Sequence, residues 1–156
     1  MTGNGVWFSG KALMKKKTVS QLRKKLWELT SKFVRLSAAD SYGFCFCVTC
    51  SARLDWIYEA QAGHFIAKAQ GNATAWDLRN IHVQCYRCNI NLGGNGAEYY
   101  PWMLNKYGED VVSELRRLSK TTRKITRAEY EIMIDEMATK LARLIVLKKG
   151  SKLASL

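Results

Sequence analysis

Two Cys-x-x-Cys pairs constrain this chain more than any other feature: Cys47 and Cys50 in CVTC, and Cys85 and Cys88 in CYRC, with 34 residues between the pairs. Each pair forms a tight turn that aims two sulfurs the same way. Two such turns close a tetrahedral four-thiolate site with metal–sulfur distances of about 2.3 Å. Structural zinc is the expectation. Four sulfurs leave no open position on the ion, so this zinc would hold the fold together and not catalyse. Cys45 is a fifth thiol, better read as a buried strand cysteine than as a ligand, because C-x-C spacing suits a tetrahedral knuckle less well.

A chain of 156 residues has room for one domain with a real core, or for a small core with helical arms. The odd cysteine count, an early Lys-rich segment and the lack of a secretory apolar region point to a reduced compartment and a cytoplasmic protein. No apolar run approaches the ~20 residues of a bilayer span, so no membrane partner is expected.

The net charge of +12 is unevenly spread. Residues 1–39 hold nine Lys/Arg against one acid, residues 40–110 five against seven, and residues 111–156 eleven against five. The positive charge lies in the flanks and not around the cysteines. Basic flanks suit a polyanion gripped by arms, and with zinc-like cysteines and five Trp they favour nucleic acid over a merely basic surface. The expected phosphate contacts are Lys15, Lys16, Lys17, Arg23, Lys24, Lys25, Lys68, Arg79 and Arg87. Such contacts position a duplex without reading its sequence.

Residues 1–17 lack apolar periodicity and read as a flexible basic arm. A T-x-x-Q capping box at Thr18 and Gln21 opens a helix to about Ala39, with Leu22, Leu26, Leu29, Phe33 and Leu36 on one face. Asp40 to Gly43 is a turn, FCF a short strand into the first knuckle, and AGHFI a second strand. Small and polar residues make a loop of 68–74. NIHVQC alternates as a half-buried strand, with Ile81 and Val83 inward and Asn80, His82 and Gln84 on the polar side. The second knuckle opens a turn or helix interrupted by Gly93-Gly94 and restarted near Asn95. Pro101 sits where it kinks or begins that helix, and Gly108 stops it. A second capping box, Thr126 and Glu129, starts a long helix to about Lys149 with its stripe at 130–145. The result is an α+β single domain over 18–156: a basic N-terminal helix (18–39), a cysteine-bearing core (40–108) and C-terminal helices (109–156). The stripes at 22–36 and 130–145 either pack on the chain's own core or serve as dimer seams.

His64 and His82 are the only histidines. A lone strand histidine is more often structural than catalytic, although Gly63 leaves room beside His64. His82 shares a strand face with Asn80 and Gln84 and reads first as structural, bonded under the loop, and second as a site residue that approaches the same phosphate as His64.

Order changes that picture. C-x2-C, then Gly63-His64-Phe65-Ile66, then Asn80-Ile81, then C-x2-C, then Asn89 resembles the zinc-stabilised HNH nuclease site, also called ββα-metal or His-Me finger. With Asn directly after the last cysteine it is similar to phage endonuclease VII. Across residues 20–120, CVTC, QAGHFI, RNIHVQCYRCN and GNGAEYYPWMLNKYG resemble the phage lambda NinG/Rap recombination-protein family. That resemblance implies a phage-encoded, structure-specific endonuclease in the host cytoplasm, acting on Holliday junctions, D-loops and similar branched DNA. It implies His64 as general base, Asn89 as ligand of a catalytic Mg²⁺ or Mn²⁺, and Asn80 as the residue that ties the loop and orients the base. Where many HNH sites carry an Asp before the histidine, this chain has Gly63, which leaves Asp77, Glu98 and Asp55 as candidate replacements. Paired nicks across a junction call for two sites, which a homodimer supplies. A non-catalytic zinc DNA-binding module, or an HNH nuclease of other specificity, accounts for the charge and the cysteines equally well.

Overall fold

The computed structural model describes residues 16–70 and 72–148. Most of the expected basic arm, Lys15 included, lies outside these residues, as does the chain beyond Lys148.

The N-terminal helix, α1 (Val19–Ala38), begins at the expected capping box. Thr18 N–H donates to Gln21 Oε1 at 2.8 Å, and Gln21 N–H donates to Thr18 Oγ1 at 3.2 Å. Two antiparallel hairpins follow. Strands β1 (Phe44–Phe46) and β2 (Arg53–Asp55) form the first, with CVTC in the connection between them. Strands β3 (Gln61–His64) and β4 (Ile81–Gln84) form the second, in the register Gln61↔Gln84, Gly63↔His82 and His64↔Ile81. The long connection between β3 and β4 contains short 3₁₀ turns at Lys68–Gln70, Asn72–Thr74 and Leu78–Asn80.

Behind β4, the second knuckle runs into one turn of π-helix, Arg87–Asn91. Gly93 and Gly94 then take positive φ, and Asn95 starts α2 (Gly96–Ser119). Pro101 lies inside α2 without ending it. The break comes instead at Gly108, where φ 80° and ψ 170° divide the helix into two arms, as its reading as a stop predicts. The last helix, α3 (Arg127–Lys148), opens at the Thr126/Glu129 box, whose bonds are 2.7 Å and 3.3 Å.

Helices α1 and α3 pack on each other, burying Leu22, Leu26, Tyr130 and Met137 in one cluster. Residues of both apolar stripes join the chain's own clusters. A larger cluster joins Val34, Leu36, Cys45, Leu54, Ala62, Ile81 and Val83 beneath the hairpins. A third joins Ile66 to Tyr99, Met103, Val112 and Leu115 across the two arms of α2. No helix among the described residues is long and apolar enough to cross a membrane. The architecture is a small α+β domain with a cysteine cluster at the ends of its hairpins.

One expectation needs correcting. Strand β4 buries Ile81 and Val83 as the alternation requires, but Asn80 and Gln84 are buried just as fully, each at 0% exposure. The turn after the second knuckle and α2 cover that side, so the polar face is enclosed and every group on it needs a partner or a purpose.

Candidate functional site

The sulfurs of Cys47, Cys50, Cys85 and Cys88 all lie within 4.8 Å of one another. A tetrahedral ion at about 2.3 Å from each sulfur sets them roughly 3.8 Å apart, and Cys50 Sγ to Cys85 Sγ is 3.8 Å. Both the donor set and the spacing fit zinc. Around the cluster, Asn95 Nδ2 donates to Cys88 Sγ at 3.6 Å. Burial pushes the Cys47 thiol up, but the Thr49 hydroxyl and nearby backbone amides outweigh that and bring it down to about 6. Cys45 stands apart: its Sγ–H donates to Leu54 O at 3.7 Å, and burial pushes it up to about 11. Its reading as a buried strand thiol is the one its surroundings fit.

Alternation along β3 places Gln61 and Gly63 on one face of the second hairpin and Ala62 and His64 on the other. Asn89 comes to the first face, where its Nδ2 donates to Gln61 Oε1 at 2.8 Å. His64 lies on the face toward α1, stacked on Trp27 with ring centroids 5.1 Å apart and planes at 22°. No hydrogen bond or ring contact joins His64 to Asn89 among the described residues. They flank the same short length of strand from two sides.

The tautomer of His64 is fixed by its surroundings. Its Nε2 is 3.0 Å from Ala75 O. A carbonyl can only accept, so the proton sits on Nε2 and the Nδ1 lone pair is left available. Burial lowers the pKa of this ring, the Ala75 bond opposes that, and the Lys68 charge lowers it further. The imidazole is therefore neutral at pH 7. Asn80 supports the arrangement from below: Nδ2 donates to Ile66 O and Thr74 O at 3.0 Å each, and Oδ1 accepts from Ile66 N–H at 2.8 Å. It clamps the loop one residue before the carbonyl that holds His64.

Above the Trp27 ring stands the Lys68 ammonium, 3.4 Å from its centroid. Burial and the Arg23 charge together lower the Lys68 pKa. A cleft of about 340 Å³ opens here, its walls carrying Arg23, Lys24 and Lys68 together with Trp27, Trp76 and Ala75, and no carboxylate among the described residues. Three expected phosphate contacts thus meet in one place beside His64. The others do not join them. Lys16, Lys17 and Lys25 line a separate groove shared with Glu131 and Asp135. Arg87 is exposed on the π-turn. Arg79 is engaged by Asp77 and Glu114 at 2.8 Å each.

The candidate replacement carboxylates are also placed elsewhere. Asp77 caps its 3₁₀ turn and pairs with Arg79; burial raises its pKa, but Arg79 outweighs that and the net shift is downward. Asp55 accepts from the amides of Ile57 and Tyr58, and Glu98 is exposed in the first turn of α2. Among the described residues, the cysteine cluster is the only group of three or more His, Cys, Asp or Glu placed to share an ion. His82 has both ring nitrogens occupied, Nδ1 by Tyr99 OH at 2.8 Å and Nε2 by Tyr107 OH at 2.9 Å.

Some residues of the site were not read from the sequence. Trp27 was legible in principle, since Arg23 and Lys24 precede it by four and three residues and share its helix face. Trp76 and Ala75 reach the site through the β3–β4 connection, which no local pattern predicts. The room expected beside Gly63 is filled by Gln84, whose Oε1 would be 2.1 Å from a Cβ at residue 63.

Comparison with known proteins places these features in context. A family model described as "Bacteriophage Lambda NinG protein" matches residues 10–147. Proteins named "Protein ninG" are similar over shorter stretches. That of Escherichia phage 933W is 32% identical over 69 residues, covering 44% of this chain and 33% of the relative. That of Salmonella phage P22 is 28% identical over 97 residues, covering 58% and 47%, and that of Escherichia phage lambda 26% over the same length with the same coverage. The matched stretch thus spans a third to about half of these relatives' length. No solved structure matches.

Proposed function

This chain belongs to the bacteriophage lambda NinG protein family, and from that premise we propose that it is a metal-dependent endonuclease of the HNH type, acting on branched DNA. The observation that carries the reading is His64: a neutral imidazole, protonated on Nε2 by its bond to Ala75 O, with no partner on Nδ1 among the described residues, and touching Trp27 and Ala75, two walls of a cleft that carries three cations.

Hydrolysis of a phosphodiester needs a water deprotonated near neutral pH, and a neutral imidazole suits that task. In this reading the water gives a proton to His64 Nδ1, and its oxygen forms a bond to phosphorus. The bond from phosphorus to the leaving sugar oxygen breaks, and that oxygen takes a proton from solvent. A hard divalent ion, Mg²⁺ or Mn²⁺, when bound would offset charge on the phosphate and the leaving oxygen. Asn89 is the ligand that the resemblance assigns to it, and an amide oxygen fits a hard cation better than zinc. Asn80 acts as a positioning residue through the Thr74–Ala75 carbonyls. Arg23, Lys24 and Lys68 hold the strand by its phosphates, and Trp76 offers a ring against which an unstacked base at a branch can lie. Zinc in the cysteine cluster has a structural role only.

The deciding experiment compares a labelled four-way junction, a linear duplex and a single strand, each with Mg²⁺, Mn²⁺ or chelator. Metal-dependent cutting of the junction with little cutting of the other two is expected. Binding without cutting under every condition supports a DNA-binding zinc module instead, and equal cutting of junction and duplex supports an HNH nuclease of broader specificity.

A further inference from the structure

The enclosed polar face of the second hairpin holds a side chain that the general-base reading leaves unused. Gln84 is fully buried. Its Nε2 donates to Gly94 O at 2.8 Å and to Thr49 Oγ1 at 3.1 Å. Because the Gly94 carbonyl can only accept, the nitrogen must face it, and the amide cannot be turned round. The oxygen is thereby aimed at Gly63 and has no hydrogen-bond donor. A buried amide oxygen left without a partner is destabilising, so its retention calls for a reason.

Asn89 supplies one. With its Nδ2 committed to Gln61, its Oδ1 also points over Gly63: the position that a Cβ would take there lies 2.1 Å from Gln84 Oε1 and 3.0 Å from Asn89 Oδ1. Two amide oxygens converge over a residue that has no side chain. Any side chain at 63 would drive Gln84 off the bonds that hold it, so glycine is required here for a close approach.

We infer that the amide oxygens of Gln84 and Asn89, meeting over Gly63, are this protein's ligands for the hard divalent cation; this rests on the metal-dependent reading above and names the site of the ion. Amide oxygens suit Mg²⁺, Mn²⁺ or Ca²⁺ and are poor ligands for zinc in competition with the cysteines. Asn89 is the half-exposed member of the pair, so an ion reaches Gln84 past Asn89. Neither ligand is charged. The cation keeps its full charge for the phosphate, and its affinity rises when DNA supplies anionic oxygens. A structural link ties the two metal sites: Gln84 donates to Thr49 Oγ1, and that hydroxyl, 3.3 Å from Cys47 Sγ, is left to donate to the knuckle. The zinc knuckle thus fixes the orientation of the amide on the other site.

The test is Mn²⁺ titration of the full chain followed by electron paramagnetic resonance, with zinc content and circular dichroism measured on every variant. Gln84→Glu adds a charge in place of the amide and is expected to tighten Mn²⁺ by about tenfold or more, as ligand charge does. Asn89→Ala removes an oxygen, and Gly63→Ala pushes Gln84 aside while keeping every oxygen; each is expected to weaken Mn²⁺ several-fold with zinc retained. Asn89→Ala leaves Gln84 and its bonds to Gly94 and Thr49 in place, so it decides the matter if Gly63→Ala or Gln84→Glu does not fold. Mn²⁺ affinity unchanged in both Gln84→Glu and Asn89→Ala overturns the assignment. If that happens while the wild-type chain still cuts junctions with Mg²⁺, the assignment falls and the nuclease reading stands. If Mn²⁺ responds to Gln84→Glu but no DNA is cut, the site stands and the nuclease reading falls.

Discussion

The two histidines of the second hairpin sit at neighbouring positions of paired strands, and their surroundings give them opposite capacities. His82, on the face under α2, has a tyrosine hydroxyl on each nitrogen. Burial, with help from the Lys106 charge, pushes its pKa down to about 4. It is a neutral packing element that holds Tyr99 and Tyr107 in place. Among the described residues, His64, on the face toward α1, is held by one nitrogen only and stands beside a cleft that no carboxylate lines. The comparison teaches that counting the occupied nitrogens separates a structural imidazole from one free to accept a proton.

The largest effect that can test the contrast is loss of zinc, because both faces depend on the knuckles. Structural zinc sites are worth on the order of 10 kcal/mol in small domains, as much as the whole stability of a typical fold. Cys88→Ala or strong chelation should therefore abolish cooperative unfolding and DNA cutting together. A chelated chain with an unchanged melting transition would remove zinc from the account.

Next comes Asn80→Ala, which strips three buried hydrogen bonds and loosens the loop that carries Ala75. A destabilisation of about 2–4 kcal/mol is expected from the partners left unpaired, with kcat lowered more than affinity. A loss of stability with kcat intact at low temperature would show that the loop does not position His64.

Protonation sharpens the contrast further. The folded state holds His82 neutral down to about pH 4, whereas the unfolded chain takes up the proton near the usual 6.5. Between those values the unfolded state binds more protons, so stability falls as pH drops from about 6.5 to 4 and levels off below. The loss from His82 is about 3 kcal/mol, and His82→Phe should flatten that part of a stability–pH curve measured by denaturant melts. The His64 pKa is also lowered, so the acid limb of kcat/KM should lie below pH 6.5. A limb above 7 would contradict a neutral, buried base.

The smallest effect concerns the cleft. Replacing Arg23, Lys24 or Lys68 by Ala should reduce the slope of log affinity against log salt by about 0.7–0.9 each, as expected for one phosphate contact. The same change at Arg79, which is paired with Asp77 and Glu114, should leave the slope nearly unaltered.

What the sequence displayed follows from range. Capping boxes at Thr18 and Thr126, the stripe of α1 and the knuckle spacing act within a few residues or through fixed ligand chemistry, and each appears in the structure as expected. The polar side of β4 was misjudged because alternation reports which residues share a face but not what covers that face. Gly63 showed that something approaches closely, while the identity of Gln84 depended on the pairing of two strands about twenty residues apart. Half of the Arg79 pairing, Asp77 two residues before it, was open to a local reading, whereas Glu114, 35 residues away on α2, was not.

The account's central claim is that His64, and not His82, delivers a proton-accepting nitrogen to a metal-dependent cut in branched DNA. It is tested most directly by cleavage of a labelled four-way junction with Mg²⁺, comparing the wild-type chain with His64→Ala and measuring binding by gel shift on the same samples. The account predicts a fall in cleavage rate of about 10²–10⁴-fold in His64→Ala with binding largely retained. Undiminished cleavage by His64→Ala, or no metal-dependent cleavage by the wild-type chain, would contradict it.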